Sequence, residues 1–273
     1  MTDAGALLSE WRRPIPPREL WLLVVVLLAG FGLFLGSRSA AKQMELAGFA
    51  LFSATVALWL AGYVLMVLVH ELGHALVGWA TRMHVVRWSA GLVQAQRMRQ
   101  GWRFRVAYPG GAHHDASVGV VPRAGNTARR PYLLAVIGGP AANVVFAALA
   151  VAWAVSFEGT AGAAWAWGLA WLSMLWGAVA AFLPSSLDDL PSDGDLIRME
   201  LSPTPGHLMS VRVGRWLGAM VEGRRAADAP AEELEAIRAL DPVGGPLFVA
   251  SAQLEVALEA GDWAAAVAVA DGV

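Results

Sequence analysis

His70-Glu71-Leu72-Gly73-His74 sets two histidines four residues apart, with a glutamate directly after the first. On an α-helix, positions i and i+4 lie about 40° apart around the axis, so both imidazoles face one side and can hold a single metal ion. Glu71 stands one step away, able to reach a water on that ion and act as its base. The chain has no cysteine, which excludes disulfides, thiolate nucleophiles and sulfur ligands and leaves His, Asp and Glu as the zinc ligands. Two histidines leave a catalytic zinc site one protein ligand short. The candidates for the third place are His84, His113, His114 and His207, with Asp188, Asp189, Asp193 and Asp195. Asp193-Gly194 is the most attractive of them. Glycine beside a ligand lets backbone approach a crowded site, and Pro184 and Pro191 bracket a segment unsuited to regular helix. Taken alone, residues 185–195 also read as a solvated acidic loop leading into a helix cap, and the His-Glu-x-x-His pattern tips the balance toward a ligand.

These side chains need elements to hold them, and the composition says where those elements lie. Of the 273 residues, 57% are hydrophobic and only 15% charged, well below the charged fraction of a soluble domain, so the chain reads as a membrane protein. A net charge of -2 supplies no overall cationic field and argues against a nucleic-acid binder. Uncharged runs from Leu20 to Gly36 and from Leu46 to Val69 are each close to the roughly 20 residues that span a bilayer. The first exceeds the apolar stretch of a signal peptide and is read as a retained helix. Tyr132 to Phe157 and Ala161 to Leu183 complete four expected spans, the last pair forming a tight hairpin around Glu158.

Between Thr81 and Pro131 stand nine arginines against one acid, Asp115, which the positive-inside rule assigns to the cytoplasm. With four spans, both termini are then expected on that side. Short β-like stretches, Val85 to Trp88 and Arg103 to Val106, punctuate this loop. An exposed strand edge there could take up an unfolded substrate segment, and a basic loop lying on anionic lipid is the equal alternative. His113-His114 reads as a surface pair rather than an accessory metal site. Trp21, Trp79, Trp165 and Trp167 fall near span ends and read as interface anchors. After residue 201 charge returns. Asp228, with Pro230, Glu232 and Glu233, reads as a cap before Leu234 to Leu240, and Gly261-Asp262 as one helix stopping and another starting. The stretch 251–271 is similar to one tetratricopeptide-type hairpin.

The histidine motif directly continues the second expected span. If Arg82 marks the headgroups, His74 and His70 lie eight and twelve residues deeper, about 12 to 18 Å, a depth from which snorkelling to water is difficult, so a metal site is read in preference to neutral polar side chains at an interfacial helix end. Counted inward from Arg130, Gly139-Pro140-Ala141-Ala142-Asn143 lies nine to thirteen residues deep, in the same membrane layer. Gly138 and Gly139 let that helix approach the histidine helix closely and read as packing residues. Asn143 reads equally as interhelical glue or as a functional side chain.

With these three elements in this order, the sequence resembles the site-2 protease family of intramembrane zinc metalloproteases over about residues 46–200. That family carries His-Glu-x-x-His on one membrane helix, a Gly-Pro-x-x-Asn-like element on the next core helix and an Asp-Gly near a broken third. The resemblance implies one zinc ion per chain held by His70, His74 and Asp193, with Glu71 as catalytic base. Many relatives have Asn-x-x-Pro shortly before the Asp-Gly, whereas this chain has Ala181-Phe182-Leu183-Pro184, so Asn143 is the expected substitute for holding substrate.

The expected architecture is an α-helical polytopic membrane protein with four transmembrane helices, a three-helix catalytic core, a short β-containing cytoplasmic loop (81–131) and a small helical C-terminal tail. Its expected divisions are residues 1–45, 46–201 and 202–273. The expected activity is hydrolysis of peptide bonds in membrane-embedded protein substrates, in the cytoplasmic membrane of a bacterium. Partners would be the lipid bilayer, a substrate with a transmembrane helix and a protein bound by the tail, with no nucleic acid. Two rivals remain: a membrane protease of prenyl-protein-processing type completed by Glu200 or Glu222, and a nonproteolytic scaffold with a vestigial metal site, against which the intact Glu71 counts.

Overall fold

The computed structural model describes residues 17–90, 93–98, 101–106, 117–123, 129–179, 192–203, 205–228, 230–240 and 244–271. Within them the order is α1 (Pro17–Gln43), α2 (Gly48–Ala80), β1 (Met83–Ala90), β2 (Val93–Met98), β3 (Gly101–Val106), β4 (Ser117–Pro122) and α3 (Arg129–Ser156). There follow α4 (Ala161–Leu172), a π-helix (Ser173–Val179), α5 (Asp193–Leu201), α6 (Pro205–Val221), α7 (Ala231–Leu240), α8 (Gly244–Ala260) and α9 (Trp263–Asp271). Among the described residues three helices, not four, are long and apolar enough to cross a membrane: Leu23–Gln43, Gly48–Ala80 and Arg130–Ser156. The expected fourth span starts at Ala161 but is α-helical for only 12 residues. It then loosens into the seven-residue π-helix, and residues 180–191 lie outside the described residues. The second helix is longer than its apolar run suggested. Its 33 residues continue to Ala80, so the histidine motif stands inside a helix rather than at its end.

The chain divides into two compact units, one of residues 1–66 and 143–195, the other of 67–142 and 196–273. In the first, α1 packs on α4 through small residues. A Cβ at Gly36 would stand 2.8 Å from the Gly168 Cα, so backbone meets backbone at that point. Ala29, Leu33, Ala163, Leu169 and Leu172 fill the buried seam above and below it. Indole N–H groups tie the helices together: Trp59 donates to the Gly30 carbonyl at 3.2 Å, Trp171 to Leu28 at 2.9 Å and Trp165 to Leu58 at 3.1 Å. Trp21, Trp79 and Trp167 are exposed, as anchors would be, but Trp165 is turned into this network instead. The α3–α4 hairpin is tight, as expected. Thr160 caps α4 by accepting from the Ala163 N–H at 3.1 Å, and Gly159 takes a left-handed φ of 82° in the turn.

In the second unit four antiparallel strands form a sheet in the order β3-β2-β1-β4, with a bulge between Val85 and Arg87 where β1 meets β4. Both β-like stretches of the sequence are strands. Helix α6 lies against β4 and β1; a Cβ at Gly218 would fall on the Pro122 carbonyl, and His84 of β1 contacts the Glu222 carboxylate at 2.9 Å. Helices α6 to α8 share a core in which Trp216 meets Phe248 edge to face at 5.2 Å, with Ala252, Leu234 and Val256 around them. Gly261, with φ 73°, ends α8 in a Schellman motif: its N–H bonds the Leu258 carbonyl and the Asp262 N–H bonds that of Ala257. Asp262 then caps α9 by accepting from the Ala265 N–H at 3.0 Å. The expected cap at Asp228 differs, because its carboxylate turns back to the Arg225 N–H and guanidinium within its own turn. Those bonds hold its pKa below the ordinary aspartate value.

The backbone contact at Gly36 gives a direct test. Gly36→Ala should lower the stability of the detergent-solubilised protein by about 1–3 kcal/mol through overpacking. Gly30→Ala, with no atom within 4 Å of the added carbon, should not lower it. Thermal unfolding of both variants checks this, and equal midpoints would contradict the packing account.

Candidate metal centre

Helix α2 carries His70, Glu71 and His74 on adjoining turns because its run of apolar residues keeps it helical through the motif. The rings of His70 and His74 meet edge to face with centroids 4.7 Å apart, and their Nε2 atoms face each other at 3.1 Å. Two nitrogens bound to one zinc at about 2.0–2.1 Å with tetrahedral angles would be about 3.3 Å apart, so the pair needs almost no rearrangement to accept the ion.

The orientation of His74 is set by α3. Its Nδ1 lies 2.8 Å from the Ala135 carbonyl oxygen and 3.3 Å from the Gly139 N–H. The shorter contact requires a proton on Nδ1, which donates to the carbonyl and makes Nε2 the unprotonated nitrogen, the atom a metal would take. The helices come close enough for this because Gly73 and Gly138 face each other: a Cβ at Gly138 would stand 2.6 Å from the Gly73 carbonyl oxygen, and one at Gly73 would meet the Gly138 carbonyl and the Ala142 methyl. Glu71 is buried, 5% exposed, on the same helix.

Gly139 does more than the packing expected of it. A Cβ there would fall on the His74 Nε2 and 2.8 Å from the His70 Nε2. Its missing side chain therefore keeps open the space in front of both nitrogens. The sequence held a signal for this: adjacent residues on a helix point about 100° apart, so Gly138 and Gly139 cannot serve one packing seam together. One turn on, Asn143 is fully buried, its Nδ2 3.9 Å from the Met66 sulfur. A Cβ at Gly177 would fall on its amide, so the π-helix presents its glycine where Asn143 needs room. π-Helices are rare and recur at functional sites, and no pattern of apolar residues announces one.

Of the acids weighed as the third ligand, Asp193 and Asp195 lie at the start of α5. Asp193 begins α5, and Asp195 is engaged in that helix's cap: its carboxylate accepts from the Ser192 N–H at 3.3 Å and contacts the Ser192 hydroxyl at 2.9 Å, while its N–H donates back at 3.2 Å. His84 and Glu222, each weighed as a ligand, contact one another. Glu200 is buried on α5. Asp188, Asp189, His113 and His114 lie outside the described residues, as does the side chain of His207.

The imidazole pair thus suits a nitrogen-ligated ion such as zinc, and Gly139 is its most specific support. Gly139→Ala should reduce the zinc retained on purification to less than about a tenth of wild type while the helical circular dichroism persists. Undiminished zinc would contradict the role of the open space. The model of Peptidase family M50 matches residues 58–269. No curated protein and no solved structure matches the chain. The family match takes in both imidazoles, the glycines that frame them and the acidic helix start, and with it the chain belongs to peptidase family M50, the site-2 protease family, whose members are membrane metallopeptidases.

Proposed function

We propose that this protein is an intramembrane zinc metalloendopeptidase that cleaves membrane-embedded protein substrates, with His70, His74 and Asp193 as zinc ligands and Glu71 as general base. The observation that carries the reading is the imidazole pair: Nε2 atoms 3.1 Å apart, one ring fixed by the Ala135 carbonyl, with the space before them kept clear by Gly139. The carboxylate of Asp193 is the hard oxygen donor that two imidazoles need to complete a three-ligand catalytic site. Zinc, when bound, supplies Lewis acidity, making water acidic near neutral pH and drawing electron density from the scissile carbonyl.

The protein's own residues do the rest. Glu71 takes the proton from the attacking water on its carboxylate and returns one to the departing amine nitrogen. The Ala135 carbonyl holds the His74 ring in one tautomer throughout. Asn143, fully buried one turn beyond Gly139, holds a carbonyl or amide of the unwound substrate segment. A transmembrane helix hides its carbonyls in its own hydrogen bonds, so substrates with Gly, Pro or Asn at the cleavage region are favoured and turnover is slow.

The arginine-rich sheet and the C-terminal helices belong to one unit, with α6 against β1 and β4. By the charge rule both face the cytoplasm, and water reaches the site from that side. The membrane would be the cytoplasmic membrane of a bacterium.

Purified wild type should hold about one zinc per chain. His74→Ala and Asp193→Ala should lose most of it, and Glu71→Gln should keep zinc yet cut hydrolysis of a membrane-helix reporter by a factor of at least about 1,000. Full zinc retention by Asp193→Ala would move the third ligand elsewhere, and cleavage surviving Glu71→Gln would end the base assignment. Asn143→Ala and Gly177→Ala should both raise the KM for the reporter about tenfold with zinc content unchanged; an unchanged KM in both would remove Asn143 from substrate binding.

A further inference from the structure

The seam between α1 and α4 that closes at Gly36 and Gly168 opens on one side into a groove of about 660 Å³. Its apolar walls are Leu28, Phe31 and Leu35 of α1, Trp167 and Trp171 of α4 and Ala154 of α3, all within one compact unit. The floor is fixed in place. A Cβ at Gly32 would fall on the Trp171 indole, which lies against α1 there and donates to the Leu28 carbonyl at 2.9 Å. From Leu28 to Gln43 the groove follows about 22 Å of helix at 1.5 Å per residue. Helices α1 and α3 are each long and apolar enough to cross a bilayer, whose hydrocarbon half is about 15 Å thick. The groove is therefore long enough to lead from the headgroup layer toward the bilayer centre.

Its two ends differ. Around Leu28 and Trp171 the lining is apolar, whereas at the other end, where α1 stops and the turn from α3 to α4 passes, Ser39, Gln43, Glu158 and Thr160 line it. Thr160 is taken up by its cap, while Ser39, Gln43 and Glu158 are exposed. Two cations stand on the same side of α1. Lys42 follows Leu35 by two helical turns and Arg38 follows Phe31 by two, so each shares the face of a wall residue, and both are exposed. Among the described residues no ion pair or side-chain hydrogen bond engages Arg38, Lys42 or Glu158.

We propose that this groove holds an acyl chain of a phosphatidylethanolamine-type lipid, with its phosphate at Arg38 and Lys42 and its primary ammonium at Glu158. An apolar trough that ends with cations on one border and a carboxylate in its lining matches a zwitterionic headgroup. The primary ammonium brings three N–H donors to the Glu158 carboxylate, which a quaternary choline lacks. A purely anionic headgroup would meet Glu158 as a like charge. A transmembrane helix over the same length, about 10 Å across, would occupy about 1,700 Å³, more than twice the groove. Seated there, the lipid ties the end of α1 to the turn between α3 and α4, and its binding is independent of the metal centre.

The test uses native mass spectrometry of the purified protein released from nanodiscs that hold equal amounts of palmitoyl-oleoyl phosphatidylethanolamine, phosphatidylglycerol and phosphatidylcholine. One phosphatidylethanolamine should be retained at least fivefold more often than either of the others. Glu158→Gln should cut that preference to less than twofold. Arg38→Gln/Lys42→Gln should lower the total phospholipid retained at least fivefold. Ser39→Trp, which places an indole in the groove, should do the same with circular dichroism unchanged, and Leu35→Trp, at a second exposed wall position, serves if Ser39→Trp does not fold. Equal retention of the three lipids, preference for either of the others, or undiminished retention in the folded groove-filling variant would overturn the proposal. So would p-benzoylphenylalanine placed at Leu35 that cross-links to a membrane-helix reporter instead of lipid, a result that would make the groove a helix-docking site.

Discussion

The close approach of α2 and α3 at Gly73 and Gly138 is the constraint on which the candidate centre depends. Two helices whose backbones touch can exchange contacts that longer side chains would prevent. Only at this separation does the Ala135 carbonyl reach the His74 Nδ1, and only then does Gly139 lie in front of both Nε2 atoms. In a bilayer, where apolar side chains gain little by leaving lipid for one another, such small-residue contacts are the main means of holding helices at a fixed distance. The packing of the helices and the tautomer of the histidine are thus one arrangement.

The same economy of side chains recurs along α3. Gly138 faces the α2 backbone, Gly139 the imidazoles, and Asn143 the slot beside Gly177. Three consequences follow from one helix because its residues differ in azimuth and only one of them, Asn143, carries a functional group. Pro140 sits inside this helix, fully buried, and removes one backbone hydrogen bond from the turn that contains Gly139.

Much of this was legible in the sequence, for identifiable reasons. The 3.6-residue repeat places His70 and His74 together wherever the segment is helical, and both β-like stretches of the arginine-rich loop are strands. Gly261-Asp262 signals its turn because glycine alone tolerates the left-handed backbone at no cost, and aspartate is a strong cap. What was not legible depends on tertiary partners. Trp165 looks like an interface anchor until the Leu58 carbonyl appears beside it. Asp228 prefers the nearby Arg225 to the helix that follows. The apolar run after Ala161 does not reveal that the helix widens into a π-helix at Ser173, since hydropathy records burial and not hydrogen-bond spacing.

The central claim is that an ion is held in this helical core by imidazole nitrogen and carboxylate oxygen. Zinc K-edge X-ray absorption on the purified protein tests it most directly. The account predicts a first shell of nitrogen and oxygen at about 2.0–2.1 Å with the outer-shell scattering of two imidazoles, reduced to one in His74→Ala. A spectrum without imidazole scattering, or one unchanged by His74→Ala, would contradict it.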